Sequence, residues 1–591
     1  MSLIKMTKVP DAQLIEVAAL LDGLRSEEQS QRLKSVKGLP LIASTLGAER
    51  TRNELLPFLQ DCTMDEADVL VSMAEVLGTM LPHVDGPANV THLLPILEQL
   101  AIQEDTHVRE TALHSIITLT TGIPASIMET TVFELGKRLA VGDWITKRAS
   151  APSILPHVYP HCNAKQKEEI LKMTQELCGD PIILVRRNAA KSLMKLVGVV
   201  DRSTAKNTLI PLFKTLLSDL HDSIRIWLMD ILVAFVTPPS PITNDEIKST
   251  LISFYKQLAD DKSWRIKFKV AERTFDFASK VQENLVRTDI IPCVLNLLKD
   301  NEMEVRTITA AVLADFGGLL SSDVIVKSII PRVKELARDE NETLKESLAC
   351  TVMKLAPKLN KADFTTHILP LISDFLSVEQ SAEVKASAVS NLSCLKKNVE
   401  LTEISPKIIA AVQSLATDKQ WRVRLTVIDY IPYIASQLGP RGFNEKLLPH
   451  CLNWIKDTVY AVREEAIANL TKIGSSFGTA WIKTSLLPFI TELTKSSGSY
   501  LHRLTALSAF RAFAPLTDAA TIHSTIFPAV APLTKDPVPN VRFNAAKTIR
   551  SFILAVDQPQ MKKEMQVVIE RLQNDPDNDV KYFAQKALEG L

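Results

Sequence analysis

One unit recurs along the whole 591-residue chain and restricts its fold more than any other feature. Each copy runs from an aliphatic pair with a proline, through a spacer ending in acidic residues, to a Val-Arg pair and a helical apolar pattern. Clear copies are LLPILEQLAIQEDTHVRETALHSI from Leu93, IIPCVLNLLKDNEMEVRTITAAVL from Ile290 and LLPHCLNWIKDTVYAVREEAIANL from Leu447. A repeat of this length indicates a stacked array of small units rather than one globular core.

The basic residue of the Val-Arg pair can be followed by its number. It falls at positions 32, 109, 148, 186, 225, 267, 306, 345, 385, 424, 463, 503, 542 and 581, and Leu70 holds the place in the second copy. These fifteen positions have a mean spacing of about 39 residues. Only the step from Arg225 to Lys267 is longer than 40 residues, and its extra residues fall near the loop sequence TPPSPIT at 237–243.

The residues after each Val-Arg pair predict an amphipathic helix. Apolar residues recur at i, i+4, i+8 and i+11 in three clear copies: Val462, Ala466, Leu470 and Ile473; Val541, Ala545, Ile549 and Phe552; Val185, Ala189, Leu193 and Leu196. A first helix precedes this one, with a proline about 14 residues before the basic residue, at Pro95, Pro211, Pro292, Pro331, Pro449 and Pro528. The proline either opens that helix or kinks it.

A pair of helices in so few residues cannot bury its own apolar face, so neighbouring pairs must stack. A period near 40 residues with two helices per period is typical of HEAT repeats. The sequence therefore predicts an all-α fold, a continuous right-handed α-solenoid of about fifteen tandem HEAT repeats. Each repeat is a pair of antiparallel helices, and no central pocket is expected.

Charge and cysteine content narrow the class of protein. Lys plus Arg and Asp plus Glu each number 68, and this balance gives no support to nucleic-acid or membrane binding, which need a basic surface. The seven cysteines are dispersed without a CxxC pair, as is typical of reduced intracellular thiols. The start MSLIKMTKVPDAQ lacks a signal-peptide layout, and no apolar run is long enough to span a bilayer. We expect a soluble cytoplasmic or nuclear protein.

An aspartate precedes the basic residue by six positions in several copies, as in the pairs Asp418 and Arg424, Asp457 and Arg463, and Asp300 and Arg306. This pattern recurs too often to mark one active site. In a stack, each arginine can meet the aspartate of its own repeat or of the next one, which would form a ladder along the loops. Exposed pairs contribute only about 0–1 kcal/mol each, so the ladder is expected to fix the repeat angle more than to add stability.

Aromatic residues interrupt this pattern in a few loops. Trp421 and Trp264 stand three places before the basic residue, and Trp144 stands four places before it. Tyr460 and Tyr500 occupy the same part of their loops. Tryptophan and tyrosine are enriched where partners bind, so we interpret Trp421 and Trp144 as partner contacts, although packing onto a neighbouring loop remains the alternative.

Motifs for enzyme chemistry are absent from the sequence. It contains no GxxxxGK[ST], GxGxxG, HExxH or GxSxG. The best metal-like cluster, His157, His161 and Cys162, supplies three candidate ligands with no acidic neighbour, and nearby prolines interrupt its helix. We expect no catalytic residue, no metal and no cofactor.

Several loops together resemble the scaffold (A, structural) subunits of protein phosphatase 2A, over essentially the whole chain. The most specific stretches are DKQWRVRL, VYAVREEA, YLHRLTAL, VPNVRFNAAK and DVKYFAQKAL, and GAERTRNELLPFL, GDW and VRRNAA fit upstream. The resemblance implies fifteen HEAT repeats that hold both a regulatory B-type subunit and the metal-dependent catalytic subunit of a Ser/Thr phosphatase. It divides the chain into repeats 1–8 at 1–320 for the regulatory subunit, repeats 9–10 at 321–399 as a flexible middle, and repeats 11–15 at 400–591 for the catalytic subunit.

The same resemblance assigns contact residues on the loops between the two helices. The catalytic subunit would contact Trp421, Arg422, Tyr460, Tyr500 and Asn540. A regulatory subunit, bound mainly on repeats 2–8, would contact Glu104, Asp105, Trp144, Arg186 and Arg187. The expected assembly is a heterodimer or heterotrimer without nucleic acid or membrane.

Two features qualify the resemblance. The repeat-5 loop reads GDPIILVRR, with Pro181 two places early and Ile183 where the family pattern has proline, so contacts of the regulatory face are expected to differ. The chain also lacks the GDxHG, GDxVDRG and GNHE motifs of such phosphatases, so any activity must come from a partner.

Three other interpretations compete with a phosphatase scaffold. A transport receptor of the importin-β class is also a helical array, but those receptors are longer, usually acidic and less regular. A scaffold of a coat or chromosome-condensation complex would co-purify without a phosphatase. An enzyme with an unfamiliar site is disfavoured by the missing motifs and by the absence of a compact domain.

Overall fold

The computed structural model describes residues 11–238, 242–377, 379–397, 405–496 and 499–589. Every regular element in these ranges is helical. Contacts within the chain divide it into two compact units, Met1–Leu297 (unit 1) and Leu298–Leu591 (unit 2). The all-α repeat fold predicted from the sequence is confirmed.

Unit 1 alternates short first helices with longer second helices. The second helices of repeats 1 to 7 are Gln29–Lys37 with its continuation Leu39–Leu46, Ala67–Leu77, Thr106–Thr120, Ile145–Val158, Ile183–Val197, Asp222–Arg225 with its continuation Leu228–Val236, and Trp264–Ala278. The main segments of the first helices of repeats 1 to 8 are Asp11–Gly23, Leu56–Asp61, Leu94–Leu100, Phe133–Ala140, Ala164–Cys178, Ile210–Leu217, Ile252–Ala259 and Ile291–Leu297.

Unit 2 continues the same alternation. The second helices of repeats 8 to 15 are Met303–Leu313, Glu342–Leu355, Ala382–Ser390, Trp421–Ile428, Tyr460–Phe477, Tyr500–Phe513, Pro539–Ala555 and Asn578–Leu588. The main segments of the first helices of repeats 9 to 15 are Ile330–Leu336, Leu369–Phe375, Ser405–Ala416, Leu448–Trp454, Leu487–Thr494, Phe527–Val530 and Pro559–Glu570. A helical run over Ile431–Lys446 joins repeats 11 and 12 and breaks at Gly439, whose φ of 67° suits glycine.

The core of each unit lies between consecutive pairs of helices. The apolar stripe of Tyr460–Phe477 is fully covered, since Val462, Ala466, Leu470 and Ile473 are all buried. Second helices of adjacent repeats pack on each other, as Tyr500–Phe513 does on Pro539–Ala555. Each repeat therefore buries its stripe against its neighbours, as the sequence pattern predicts.

The prolines of the first helices lie inside a longer helical run. Pro211 is the second residue of Ile210–Leu217, and the five-residue π-helical turn Ala205–Leu209 comes directly before it. Proline lacks an N–H and its ring crowds the carbonyl four residues back, so a wider turn accommodates it. The same π turn precedes Phe133–Ala140, which has no proline at that place. The turn therefore belongs to the repeat, and proline fits it.

Candidate partner-binding surface

In many repeats, one arginine holds the loop between the two helices. In repeat 11, Arg424 donates from Nη1 to the backbone carbonyl of Asp418, 2.7 Å away in its own loop. Its Nε and Nη2 donate to the two carboxylate oxygens of Asp457 in the next repeat, at 2.8 and 2.9 Å. One guanidinium thus fixes its own loop and ties it to the following one, since five N–H donors in a plane allow both at once.

Arg–Asp pairs of this kind recur in both units, and we call them the arginine ladder, each pair being a rung; Arg306–Asp339 is a longer ion pair, at 3.6 Å. The rungs of unit 1 are Arg32–Asp65, Arg148–Asp180, Arg186–Asp219 and Arg225–Asp261. Those of unit 2 are Arg306–Asp339, Arg424–Asp457, Arg503–Asp536 and Arg542–Asp575. The sequence left open whether each arginine meets the aspartate of its own repeat or of the next one. Both contacts occur: the carboxylate belongs to the next repeat and the backbone carbonyl to the same one.

The pairing of opposite charges in a rung shifts pKa values, as the rung between Arg542 and Asp575 illustrates. The hydrogen bond from Arg542 holds the pKa of Asp575 below its ordinary value, and the same bond raises the pKa of Arg542. Most of these aspartates also hold the loop before the next helix, because the carboxylate accepts from a backbone N–H two residues on, as Asp457 does from Val459 at 2.9 Å. The loops are therefore held in one shape, which lets them present side chains at fixed positions.

Trp421 is the first residue of Trp421–Ile428, three residues before the arginine that forms the rung with Asp457. It is partly buried, and the guanidinium of the exposed Arg422 lies 4.8 Å from its ring centroid. The preceding Gln420 donates to Glu383 of the previous repeat at 3.3 Å. Trp421 is thus partly accessible at the start of its helix, with the cation of Arg422 stacked beside it.

The other residues predicted to contact the catalytic subunit lie in register. Tyr460 and Tyr500 are the first residues of Tyr460–Phe477 and Tyr500–Phe513, and their exposed fractions are 65% and 45%. The Tyr460 hydroxyl donates to Glu464 at 3.0 Å, and this bond to a carboxylate raises the pKa of Tyr460. Asn540 is exposed in the first turn of Pro539–Ala555. The structure therefore brings all five residues to the same edge of consecutive repeats.

Three of the residues predicted to contact a regulatory subunit are exposed at the start of a second helix or just before it. Trp144 is 73% exposed just before Ile145–Val158. Asp105 caps Thr106–Thr120 by accepting from His107 and Val108, and the bond from Val108 lowers the pKa of Asp105. Glu104 is exposed beside it.

Arg186 and Arg187 have different roles in the structure. Arg186 forms a rung with Asp219 at 2.7 Å, so its guanidinium is already engaged within the chain. Arg187 lines a groove with Lys191, Trp227 and Arg265, and its Nε is buried without a hydrogen-bond partner. Lys191 lies 4.8 Å above the ring of Trp227. Sequence analysis missed Trp227, although a tryptophan two residues after Arg225 was a signal.

The unusual loop of repeat 5 keeps the common geometry. Arg186 donates to the carbonyls of Asp180 and Pro181 at 2.8 and 3.1 Å, and the Asp180 carboxylate accepts from the N–H of Ile182 at 2.8 Å. Ile183 is 38% exposed. The departure from the family pattern therefore changes the exposed side chains of the loop and leaves its backbone anchored.

A second groove lies between the second helices of repeats 12 to 14. It is lined by Tyr460, Arg463, Glu464, Ile467, Leu501, Leu504, Thr505, Leu507, Ser508, Arg511, Asn544 and Thr548. Sequence analysis singled out only Tyr460 among these. Arg463 and Arg511 were missed because they are ordinary repeat positions until the stack places them side by side.

The three metal-like residues do not form a site. His157 Nε2 lies 2.9 Å from the hydroxyl of Thr120, and Cys162 is buried, which raises the pKa of its thiol to about 11. Across the described ranges, no cluster of three or more His, Cys, Asp or Glu side chains could hold a metal ion. Within the same ranges, no helix is both long and apolar enough to cross a membrane.

Two family models match parts of the chain. One, described as PPP2R1A-like HEAT repeat, matches residues 283–360, and one described as HEAT repeat matches residues 526–555. These two stretches therefore match HEAT-repeat models, and the stacked helical pairs of the fold are consistent with an all-α solenoid of such repeats.

The curated relatives point to one group within that class. The chain is 35% identical over 277 residues to the A-type regulatory subunit of protein phosphatase PP2A from Schizosaccharomyces pombe, covering 47% of each chain. It is 42% identical over 191 residues to the beta isoform of the human 65 kDa A-type regulatory subunit of Ser/Thr-protein phosphatase 2A, covering 32% of each chain. The aligned segments span less than half of these relatives. The chain is thus a relative of the A-type regulatory subunits of PP2A, and the resemblance seen in its loops is confirmed.

Solved structures give the same fold with little sequence identity. The Kap95:Nup1 complex aligns with a TM-score of 0.61 at 13% identity, over 99% of this chain and 77% of that chain. Kap95p bound to RanGDP aligns with a TM-score of 0.58 at 11% identity, over 97% and 81%. At such identity the likeness concerns the fold alone.

Proposed function

We propose that this chain is the non-catalytic scaffold subunit of a PP2A-type Ser/Thr phosphatase holoenzyme. Loops of repeats 11–15 would hold the catalytic subunit, and loops of repeats 2–8 would hold a variable regulatory B subunit. The observation that carries this proposal is the row of aromatic side chains at the loop edge of repeats 11 to 13, the partly buried Trp421 and the exposed Tyr460 and Tyr500, in a relative of the A-type regulatory subunits of PP2A.

The mechanism is assembly rather than chemistry. Two proteins bound to one array meet at an effective concentration set by the array, which can exceed their concentrations in the cell. Each loop anchor would supply part of the binding energy, since a few aromatic and arginine residues usually dominate an interface. The anchored backbone of each loop limits the ordering cost of binding.

Two single substitutions, one on each proposed binding surface, test the catalytic-subunit and the regulatory-subunit parts of the proposal separately. The full-length tagged chain is purified from cells with Trp421→Ala or Trp144→Ala, and its partners are measured by quantitative mass spectrometry and a phosphatase assay. Trp421→Ala should weaken catalytic-subunit binding by about 2 kcal/mol or more, as expected of a hot spot, while the regulatory half stays intact. Trp144→Ala should reduce the bound regulatory subunit while the phosphatase is retained.

Folding is checked on both variants by circular dichroism and thermal unfolding. Trp144 is mostly exposed, so its variant should melt as the wild type does. If Trp421→Ala unfolds the chain, Trp421 serves internal packing rather than a partner. An eluate of the wild-type chain without any Ser/Thr phosphatase would refute the proposed function.

A further inference from the structure

The arginine ladder lacks a carboxylate at one place within unit 2. Arg503 donates from Nη1 to the carbonyl of Ser496 at 2.7 Å, just as Arg542 donates to the carbonyl of Asp536 at 2.8 Å. Ser496 therefore occupies the structural place that Asp536 has in the next repeat. The loop of repeat 13 carries one extra residue, so the replacement is visible only from this hydrogen bond.

The missing carboxylate leaves Arg463 of repeat 12 without its rung. Arg463 is only 8% exposed, and its Nη1 donates to the carbonyls of Asp457 and Thr458 at 2.7 and 3.1 Å. Among the residues that the structure describes, no carboxylate pairs with it, and the two residues after Ser496 are serine and glycine. The Arg463 guanidinium therefore lacks the counter-ion that a rung supplies to its neighbours Arg424 and Arg503.

Arg463 is not sealed within the stack. It lines the groove between the second helices of repeats 12 to 14, with Tyr460 at its rim. The groove carries two cations, Arg463 and Arg511, against one carboxylate, Glu464, which already accepts the Tyr460 hydroxyl. The groove is therefore open, positively charged and continuous with the aromatic edge proposed to hold the catalytic subunit.

We propose that Arg463 is a docking cation that receives an Asp or Glu side chain of the catalytic subunit in this groove. This inference rests on the proposed function. The partner's carboxylate would supply the missing rung through the Nε and Nη2 donors of Arg463, in the bidentate manner that Asp457 uses with Arg424. The partner would thereby complete a charge pair that every flanking arginine already has within the chain.

Restoring the aspartate separates this role from a merely structural one. In full-length Ser496→Asp, the new carboxylate should pair with Arg463, so the thermal midpoint of the free chain should rise. The affinity for a purified PP2A-type catalytic subunit, measured by biolayer interferometry, should fall about tenfold or more, because the docking cation is already neutralised. A substitution that stabilises the scaffold and weakens its complex is not expected of an ordinary packing change.

Two further variants control for charge and size. Ser524→Asp adds the same charge on the first helix of repeat 14, outside the groove, and should bind as the wild type does. The neutral Ser496→Asn has nearly the size of aspartate, so its loss of affinity should be much smaller than that of Ser496→Asp.

The outcomes distinguish the two proposals. If the wild-type chain does not bind the catalytic subunit, the proposed function fails. If the wild type binds and Ser496→Asp is stabilised but binds equally well, the docking role of Arg463 is refuted. If Ser496→Asp does not fold, Arg463→Gln and Arg463→Lys are compared by the same assay, where a folded Arg463→Gln that binds like the wild type overturns the inference. Weakening by Arg463→Gln with partial rescue by Arg463→Lys supports it.

Discussion

At the scale of the residue, the ladder depends on arginine rather than on positive charge alone. Arg424 serves two carboxylate oxygens and a carbonyl at once. Lys385 occupies the equivalent slot in repeat 10, and among the described residues its Nζ donates to the hydroxyl of Ser414 at 3.4 Å. An ammonium group is a compact charge without the planar fork of a guanidinium, so it cannot hold two loops together in the same way.

The terminal rung gives a pH prediction. The hydrogen bond from Arg542 lowers the pKa of Asp575, so this carboxylate stabilises the fold above its unfolded pKa of about 4 and loses that contribution as pH falls through its folded pKa. Asp575→Asn should therefore be less stable than the wild type at neutral pH, and the difference should shrink as pH falls below about 4. Urea midpoints measured across that range check this.

The exposed Asp557, changed to Asn, serves as the control for the titration. Its urea midpoints should match those of the wild type at every pH. A gap between Asp575→Asn and the wild type that stays constant at acidic pH would contradict the assigned role of the rung.

At the scale of the element, the ladder links the loop of one helix pair to that of the next. Unit 1 contains an arginine whose rung is missing. Gly142 takes the aspartate's place after Arg109, since its carbonyl accepts from Arg148 at 3.2 Å. Arg109 is 5% exposed, and burial lowers its pKa, whereas the bond from Asp261 raises the pKa of Arg225. The rung of Arg225 thus offsets the burial of its guanidinium, and Arg109 lacks this compensation.

The rung between Arg503 and Asp536 is the most buried of the ladder in unit 2, with side-chain exposures of 9% and 4%. Asp536→Asn leaves a buried cation without its partner and should destabilise the fold by about 3–5 kcal/mol. Glu492→Gln removes the exposed pair with Lys495 and should cost at most about 1 kcal/mol. Urea unfolding monitored by circular dichroism measures both.

Equal losses of stability for these two variants would contradict the idea that burial determines how much an ion pair contributes to the free energy of unfolding. The comparison is well matched, because both substitutions replace a carboxylate by its amide within the same repeat region. The amide retains the size of the carboxylate, so the difference between the variants reports charge pairing.

At the scale of the whole molecule, contacts are local, since each repeat touches mainly its neighbours along the chain. Stability in such an array is a sum over repeats and their interfaces rather than the property of one core. The division of the chain into two compact units agrees with this local pattern of contacts.

Unfolding should therefore not be two-state. We expect the urea curves from circular dichroism and from tryptophan fluorescence not to coincide, because the six tryptophans all lie between residues 144 and 481 and do not report on the repeats at either end, while circular dichroism reports on all helices. The apparent m-value should be smaller than a cooperative 591-residue chain would give. One coincident transition with the full m-value would show cooperative coupling along the entire chain.

The sequence by itself determined the repeat, the helix pairs, the buried stripes and the position of the loop aromatics. These features obey local rules: a 3.6-residue apolar period fixes which face of a helix is buried, and a regular spacing fixes where each loop falls. Trp421, Tyr460 and Tyr500 could be placed in the loops before second helices for this reason, and the structure makes each of them the first residue of its helix.

Only the tertiary structure decided which partner each of these side chains has. The carboxylate that meets Arg424 lies 33 residues away in the next repeat, and stacking rather than local sequence brings it there. Stacking also leaves Trp144 exposed while Trp421 is partly covered. The unpaired Arg463 became visible through a single carbonyl of Ser496, because an extra loop residue hides that equivalence in the sequence.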